Sequence, residues 1–383
     1  MPEPRPSIPM LDLDAQRRAI GPVLDTRIRA VLDHGQFILG PEVMELEAEL
    51  ARRSGVQQVV TCGNGTDALQ IVLMAWGVGP GDAVFVPSFT FTATAEVVAL
   101  LGATPVFCDV RADSYNIDVD DLAAAVETVL EAGILTPKAV IAVDLFGLPA
   151  DYSTIRGVAD RYGLRVLADA AQSYGATRNG KPVGVLADAT ATSFFPAKPL
   201  GCYGDGGAVL TDDEDLAALL RSIRVHGKGS DKYDNVRVGL NSRLDTLQAA
   251  VLLAKLVVFD RELEARKSLA AHYSEAFLAL EGIAIPSSEP SAWAQYTIAV
   301  HSTKRDGLVE HLRRSGVSTA IYYPRALHEQ PAYVNEHARS SRSLSVSTRL
   351  AESVLSLPMH PYVSLDAANR VIEALQEAVA TVG

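Results

Sequence analysis

The chain has 383 residues, 48% hydrophobic and 21% charged, enough to bury a large core and to divide into about two domains. Its formal net charge of −12 argues against nucleic acid or an anionic membrane as the main partner, because both reward a basic face. Cys62, Cys108 and Cys202 are odd in number, far apart and outside any Cys-x-x-Cys pair, which argues against a disulfide framework and points to a reducing, cytoplasmic setting; no metal site is expected.

From the amino terminus, Met1 to Pro9 lacks the apolar core of a targeting signal, and no later stretch reaches the roughly 18 apolar residues that a membrane span needs. Apolar spacing predicts a helix over Leu24 to Leu32, a break from His34 to Pro41, and a second helix from Glu42 to Arg53. After the short run Val59-Val60 comes Gly63-Asn64-Gly65-Thr66-Asp67-Ala68-Leu69, a glycine-containing turn that opens a helix. Its free backbone N–H groups and the Thr66 hydroxyl suit a phosphate, the alternative being Thr66 as an ordinary helix cap.

The apolar run Ala83 to Val86 precedes Pro87-Ser88-Phe89-Thr90-Phe91-Thr92-Ala93-Thr94, which offers either core packing or an aromatic plate for a flat ligand. Further short runs follow at Thr104 to Asp109, Ala139 to Asp144 and Arg165 to Asp169. The last leads into Asp169-Ala170-Ala171-Gln172, where the strand-end carboxylate either caps a helix or holds a pyridine nitrogen protonated. Ala189 to Phe195 runs into Pro196-Ala197-Lys198 and Gly204-Asp205-Gly206-Gly207. An apolar approach favours the neutral, nucleophilic amine, so Lys198 reads as a Schiff-base lysine rather than a loop lysine at the surface.

Ala208 to Thr211 is the seventh apolar run. Seven strands alternating with helices predict an α/β domain whose mostly parallel sheet lies between helices, with ligands beyond the carboxyl ends of the strands. Gly239-Leu240-Asn241-Ser242-Arg243-Leu244-Asp245 sets an amide and a guanidinium two residues apart, suited to phosphate or carboxylate. A long apolar helix is expected from Thr246 to Phe259, continuing through charged residues into a smaller α+β carboxyl-terminal domain. That domain has strand signals at Tyr296 to Val300 and Ile321 to Tyr323, separated by an amphipathic stretch from Asp306 to Arg314. The expected division is 1–245 and 246–383. A phosphate cradle, an aromatic plate, a strand-end carboxylate and a reactive lysine, in that order on one α/β domain, are the parts that pyridoxal 5′-phosphate (PLP) requires.

The motifs at 63–69, 169–176, 193–201, 204–207, 224–227 and 239–245 resemble those of the DegT family of PLP-dependent sugar aminotransferases, from about Leu11 to the carboxyl terminus. The resemblance implies the fold type I PLP-transferase architecture. It implies that Lys198 holds the cofactor, that Asp169 partners the pyridinium nitrogen, and that Gln172 faces the ring hydroxyl. Phe91 would stack on the ring, and Gly65, Thr66 and Ser193 would hold the phosphate. Asn241 and Arg243 would reach into the partner subunit's site of a homodimer, toward phosphate and substrate respectively. Within the family, His34 to Val43, Pro199 to Tyr203, Ala294 to Thr297 and Leu357 to Tyr362 look like the UDP-2-acetamido-2-deoxy-3-oxo-glucuronate aminotransferases, with Phe37, Arg243, Tyr322, Tyr323 and His328 toward the sugar.

Two departures stand out. Tyr322-Tyr323-Pro324 replaces that group's His-Tyr-Pro, as in enzymes acting on dTDP-3-keto-6-deoxyhexoses, and Asp144 stands where the family often has His or Ser. The implied reaction moves nitrogen from an amino acid, by analogy L-glutamate, to a nucleotide-linked keto sugar, in two half-reactions. The rivals are a cyclitol ketone aminotransferase, a sugar dehydratase, whose relatives carry histidine in place of the lysine, and a silent PLP-binding regulator.

Overall fold

The seven apolar runs form one sheet. It comprises β1 (Gln58–Cys62), β2 (Asp82–Pro87), β3 (Thr104–Cys108), β4 (Thr136–Val143), β5 (Arg165–Asp169), β8 (Ala189–Ser193) and β9 (Gly207–Thr211), in the order β1-β9-β8-β5-β4-β2-β3. β6 (Thr177–Arg178) and β7 (Lys181–Pro182) make a small hairpin outside it. Every pairing is parallel except those of β9, which runs antiparallel to both β1 and β8. The structure is a computed structural model describing residues 7–231, 233–334 and 343–382, so the first six residues of the stretch scanned for a targeting signal lie outside the described residues.

Side chains along a strand alternate between faces, and both faces here are apolar. Val84 and Val86 enter the layer made with α3 (Gly65–Ala75), α4 (Ala93–Leu100) and α7 (Glu214–Ile223), whereas Ala83 and Phe85 enter the layer made with α5 (Val119–Ala132) and α6 (Tyr152–Tyr162). The predicted fold class is observed.

α1 (Leu13–His34) is longer than the predicted Leu24 to Leu32 and runs on through Pro22. An interior proline costs about 3 kcal/mol. Burying Ile20, Leu24 and Val31 returns about 1.5–3 kcal/mol per side chain and outweighs it. α2 (Pro41–Ser54) begins directly after the Gly40-Pro41 punctuation. The predicted helix Thr246 to Phe259 is two helices, α8 (Thr246–Leu256) and α9 (Phe259–Phe277), parted at the exposed Val257. α8 packs with α1 and α2 around Phe194, Leu200 and Leu252, which explains a sequence apolar nearly all round.

A second core forms where β10 (Ile283–Ala284), β11 (Tyr296–Val300) and β12 (Val354–Leu357) pair antiparallel beneath α9, α10 (Ser302–Arg314) and α12 (Leu365–Val382). The strand predicted at Ile321 to Tyr323 does not form. β12, which follows α11 (Ser345–Ser353), takes the place beside β11, while Tyr322 and Tyr323 pass irregularly through a cis peptide and pack with Phe89. Pro324 follows directly and offers no N–H to a ladder, and the two rings pack, partly buried, against the cluster that contains Phe89 and Phe146. Among the described residues no helix is long and apolar enough to cross a membrane.

Candidate active site

The segments singled out in the sequence leave the large sheet at one edge, the carboxyl ends of its parallel strands. After β1, Asn64 caps α3 by accepting the Asp67 N–H at 2.8 Å, which leaves Thr66 free of capping duty. The first amides of a helix lack intrahelical acceptors and carry the positive end of its dipole. Ser193, at the end of β8, closes on this turn: a Cβ added at Gly65 would lie 2.6 Å from the Ser193 Cβ, so only glycine lets the hydroxyl and the helix start meet.

Beyond Ser193, Lys198 sits in a loop whose ends are pinned by the antiparallel pairing of Ser193 with Gly207. Phe194 N–H donates to Gly206 O at 2.7 Å, Cys202 N–H to Phe194 O at 2.7 Å and Lys198 N–H to Phe195 O at 2.9 Å. Phe194, Leu200 and Cys202 are buried in the core beneath it. Burial pushes the Lys198 amine below its ordinary value, and the Asp169 carboxylate opposes part of that shift. The shift is in the direction of the nucleophilic, uncharged amine.

Asp169 ends β5, the strand next to β8, and is 7% exposed. Its Oδ2 accepts from Thr94 Oγ1 at 3.1 Å and its Oδ1 from Ala171 N–H at 3.2 Å. Burial raises its pKa; Ala171, Lys198 and Thr94 act against that. Two donors leave the carboxylate with acceptor capacity for a third. Thr94 escaped the sequence reading, although it lies one helical turn beyond Phe91 and two residues into α4.

Gln172 accepts the Phe146 N–H through Oε1 at 2.5 Å and donates Nε2 to Tyr323 Oη at 3.4 Å, so its amide orientation is set. Phe146 has a left-handed backbone, φ 59°, which aims that N–H. Phe91 is half exposed, its ring centroid 6.1 Å from that of Tyr323, while Phe89 is buried. The aromatic pair therefore divides into a core residue and an open plate. Tyr322 is half-buried, 5.9 Å ring to ring from Tyr323. Phe37 lies exposed at the rim, its carbonyl accepting the Thr246 N–H at 2.9 Å.

Residues 241–245 alternate: Asn241 and Asp245 are exposed, Arg243 is half-buried, and Ser242 and Leu244 are buried. His328 is half-buried and packs onto the loop that follows β2. Its Nδ1 is 2.5 Å from Ser88 Oγ and its Nε2 3.5 Å from Thr348 Oγ1, which holds it against the loop after β2.

Asp144, the second departure, ends β4 and is fully buried. Its Oδ1 accepts from Ala150 N–H at 2.8 Å and Tyr152 Oη at 2.7 Å, and its Oδ2 from Ser173 Oγ at 2.6 Å, so it ties the 145–150 turn to the residue after Gln172. Burial pushes its pKa up to about 7 despite these three donors. The folded protein then keeps a proton between about pH 4 and 7 that the unfolded chain has released, so the stability this group contributes is lost as pH rises through that window. Asp144→Asn preserves the bonds if its amide donates to Ser173. The expected result is a Tm advantage for Asp144→Asn over wild type that grows from pH 5 to pH 8; an offset independent of pH would refute it.

The sequence pattern of the DegT/DnrJ/EryC1/StrS aminotransferase family matches residues 20–376. The chain is 47% identical over 373 residues, 96% of its length and 99% of the relative's, to a UDP-2-acetamido-2-deoxy-3-oxo-D-glucuronate aminotransferase of Pseudomonas aeruginosa. It is 40% identical over 377 residues, 97% and 96% of the two chains, to a dTDP-3-amino-3,4,6-trideoxy-alpha-D-glucose transaminase of Streptomyces venezuelae. Among solved structures, a DegT/DnrJ/EryC1/StrS aminotransferase from Brucella abortus superposes with a TM-score of 0.94 at 50% identity, over 96% of this chain and 98% of that one. NtdA from Bacillus subtilis with bound cofactor PMP gives 0.89 at 29% identity, over 99% and 86%.

Proposed function

Because the chain belongs to the DegT/DnrJ/EryC1/StrS aminotransferase family, we propose that it transfers an amino group from an amino acid, by analogy L-glutamate, to the 3-keto group of a UDP-linked 2-acetamido uronic sugar. The cofactor is PLP, and the residues present fit it. The Gly65 cradle that a Cβ would fill suits a phosphate, and the buried Asp169 carboxylate has room for one more donor. When bound, PLP supplies an electron sink and the carrier for the nitrogen.

The observation that carries the reading is the meeting of two neighbouring strands' carboxyl ends: β5 ends in the buried carboxylate of Asp169, and the loop leaving β8 carries the half-buried Lys198, whose basicity is lowered by desolvation and partly restored by Asp169. Lys198 Nζ is the group that attaches the cofactor and, once displaced by the donor, moves a proton between two carbon atoms. Asp169 keeps positive charge on the ring nitrogen. Gln172 Nε2 faces the ring hydroxyl, Phe91 is the plate, and Gly65, Thr66 and Ser193 take the phosphate. The outward-facing Asn241 and Arg243 serve the partner's site in a homodimer, Arg243 toward substrate, with Phe37, Tyr322 and Tyr323 lining the sugar. His328, bonded to Ser88, is assigned to the sugar side as well. The enzyme works in the cytoplasm.

A dTDP-linked 3-keto-6-deoxyhexose is the second reading, favoured by Tyr322 in place of histidine. Both are tested by loading the enzyme with nitrogen from glutamate, removing glutamate, and following return of the visible absorbance on adding each keto sugar. Return with the UDP-uronate alone is expected. Return with the deoxyhexose alone moves the enzyme to the second substrate, and no return with either overturns the nucleotide-sugar reading in favour of a cyclitol ketone.

A further inference from the structure

Ser242 is 1% exposed and plays no part in the chemistry above. Its Oγ accepts the Gly63 N–H at 2.9 Å and donates to Asp67 Oδ2 at 2.6 Å. Gly63 and Asp67 bracket Gly65 and Thr66, so this hydroxyl is bonded to both ends of the phosphate cradle in its own chain. The approach is close: a Cβ added at Gly63 would meet Asp67 Oδ2 at 3.0 Å and Ser242 Oγ at 3.3 Å. Main-chain bonds fix the register of the segment, with Leu240 N–H donating to Ile223 O at 2.7 Å and Ser242 N–H to Arg224 O at 3.0 Å. Because successive side chains of an extended segment point to opposite sides, anchoring Ser242 inward aims Asn241 and Arg243 outward.

We propose that Ser242 is a positioning residue acting in trans: it moors to its own subunit's cradle the loop whose Asn241 and Arg243 complete the partner's site. This rests on the shared-site reading given above. A guanidinium that orients substrate loses its effect when displaced by about 1 Å, and a serine donating to a carboxylate is a strong tether for so short a side chain. Breaking the tether therefore harms the neighbouring site and spares the cradle beside it, where Asn64 still caps α3.

The test uses hybrid dimers of two differently tagged chains. With Lys198→Ala in one chain and Ser242→Ala in the other, the one lysine-bearing site belongs to the Ser242→Ala chain and borrows an intact loop. It is expected to match a wild-type/Lys198→Ala hybrid, while the Ser242→Ala homodimer loses about tenfold in kcat/KM for the keto sugar. Placing both substitutions in one chain opposite wild type is expected to show the tenfold loss. PLP titration of the cofactor-free first hybrid, read from the absorbance of its one lysine-bearing site, is expected to give a Kd within about twofold of the wild-type/Lys198→Ala hybrid, because that site borrows an intact Asn241.

A tenfold loss in the first hybrid, a tenfold weaker Kd, or an unimpaired homodimer overturns the proposal. The same pairings with Arg243→Ala separate the two readings. If Arg243→Ala complements and Ser242→Ala does not, the mooring role fails alone; if neither complements, the shared site fails. Asp67→Ala cuts the same bond from its other end and replaces Ser242→Ala should that chain not fold.

Discussion

Lys198→Ala is expected to lower kcat/KM for amino transfer by about 10⁴-fold or more and to abolish the visible absorbance of the lysine-bound cofactor. Both effects follow from one amine doing two things, attachment and proton transfer. A positioned proton-transfer group alone is worth about 10²–10⁴-fold, and loss of the covalent link adds to it. The fold is expected to survive. Burial lowers the pKa of this amine, so the folded chain gains nothing from keeping it charged, and its loop is held by main-chain bonds and by Phe194, Leu200 and Cys202. A variant with an unchanged Tm that keeps more than about 1% of activity would remove Lys198 from its role.

Asp169→Asn is expected to lower kcat on the order of 10³-fold, the scale on which single preorganised charges act at reacting centres, while the cofactor still binds. The amide is isosteric, and with its oxygen toward Ala171 N–H and its nitrogen toward Thr94 Oγ1 both existing bonds persist. The charge alone is lost. Burial raises the pKa of Asp169, so the carboxylate is a cost to the cofactor-free fold at neutral pH, and the contribution of this group to stability falls as pH rises. The cofactor-free variant should therefore be no less stable than wild type at pH 7 while being far less active. Measuring Tm and kcat on the same preparation checks this, and near-full activity would rule out Asp169 as the partner of the ring nitrogen.

The strands of the large sheet were readable because both of their faces are buried, so each appears as a short apolar run between helices, and the strand-end motifs mark where loops gather. Less readable were features decided by long-range packing. Pro22 carries a local stop signal that three buried aliphatic side chains override. Ile321 to Tyr323 has strand composition, yet Pro324 withholds an N–H from any ladder and the rings pack against the cluster around Phe89 instead. Asp144 and Ser242 could not be interpreted from sequence, because their meaning lies in donors and acceptors up to 179 positions away along the chain, as with Gly63 and Ser242. The bonds of His328 to Ser88 and Thr348, 240 and 20 positions away along the chain, were equally beyond the sequence.

The pinned loop between β8 and β9 leaves movement to the lysine side chain. Since its backbone is tied at Phe194, Lys198 and Cys202, the amine departs and returns by rotation about the four carbons of its own side chain. Side-chain rotations of this kind move a few atoms, whereas a lid or a domain hinge takes microseconds to milliseconds. The lysine is a free arm on a fixed post, so in the proposed reaction its release and return would call for no rearrangement of the protein chain.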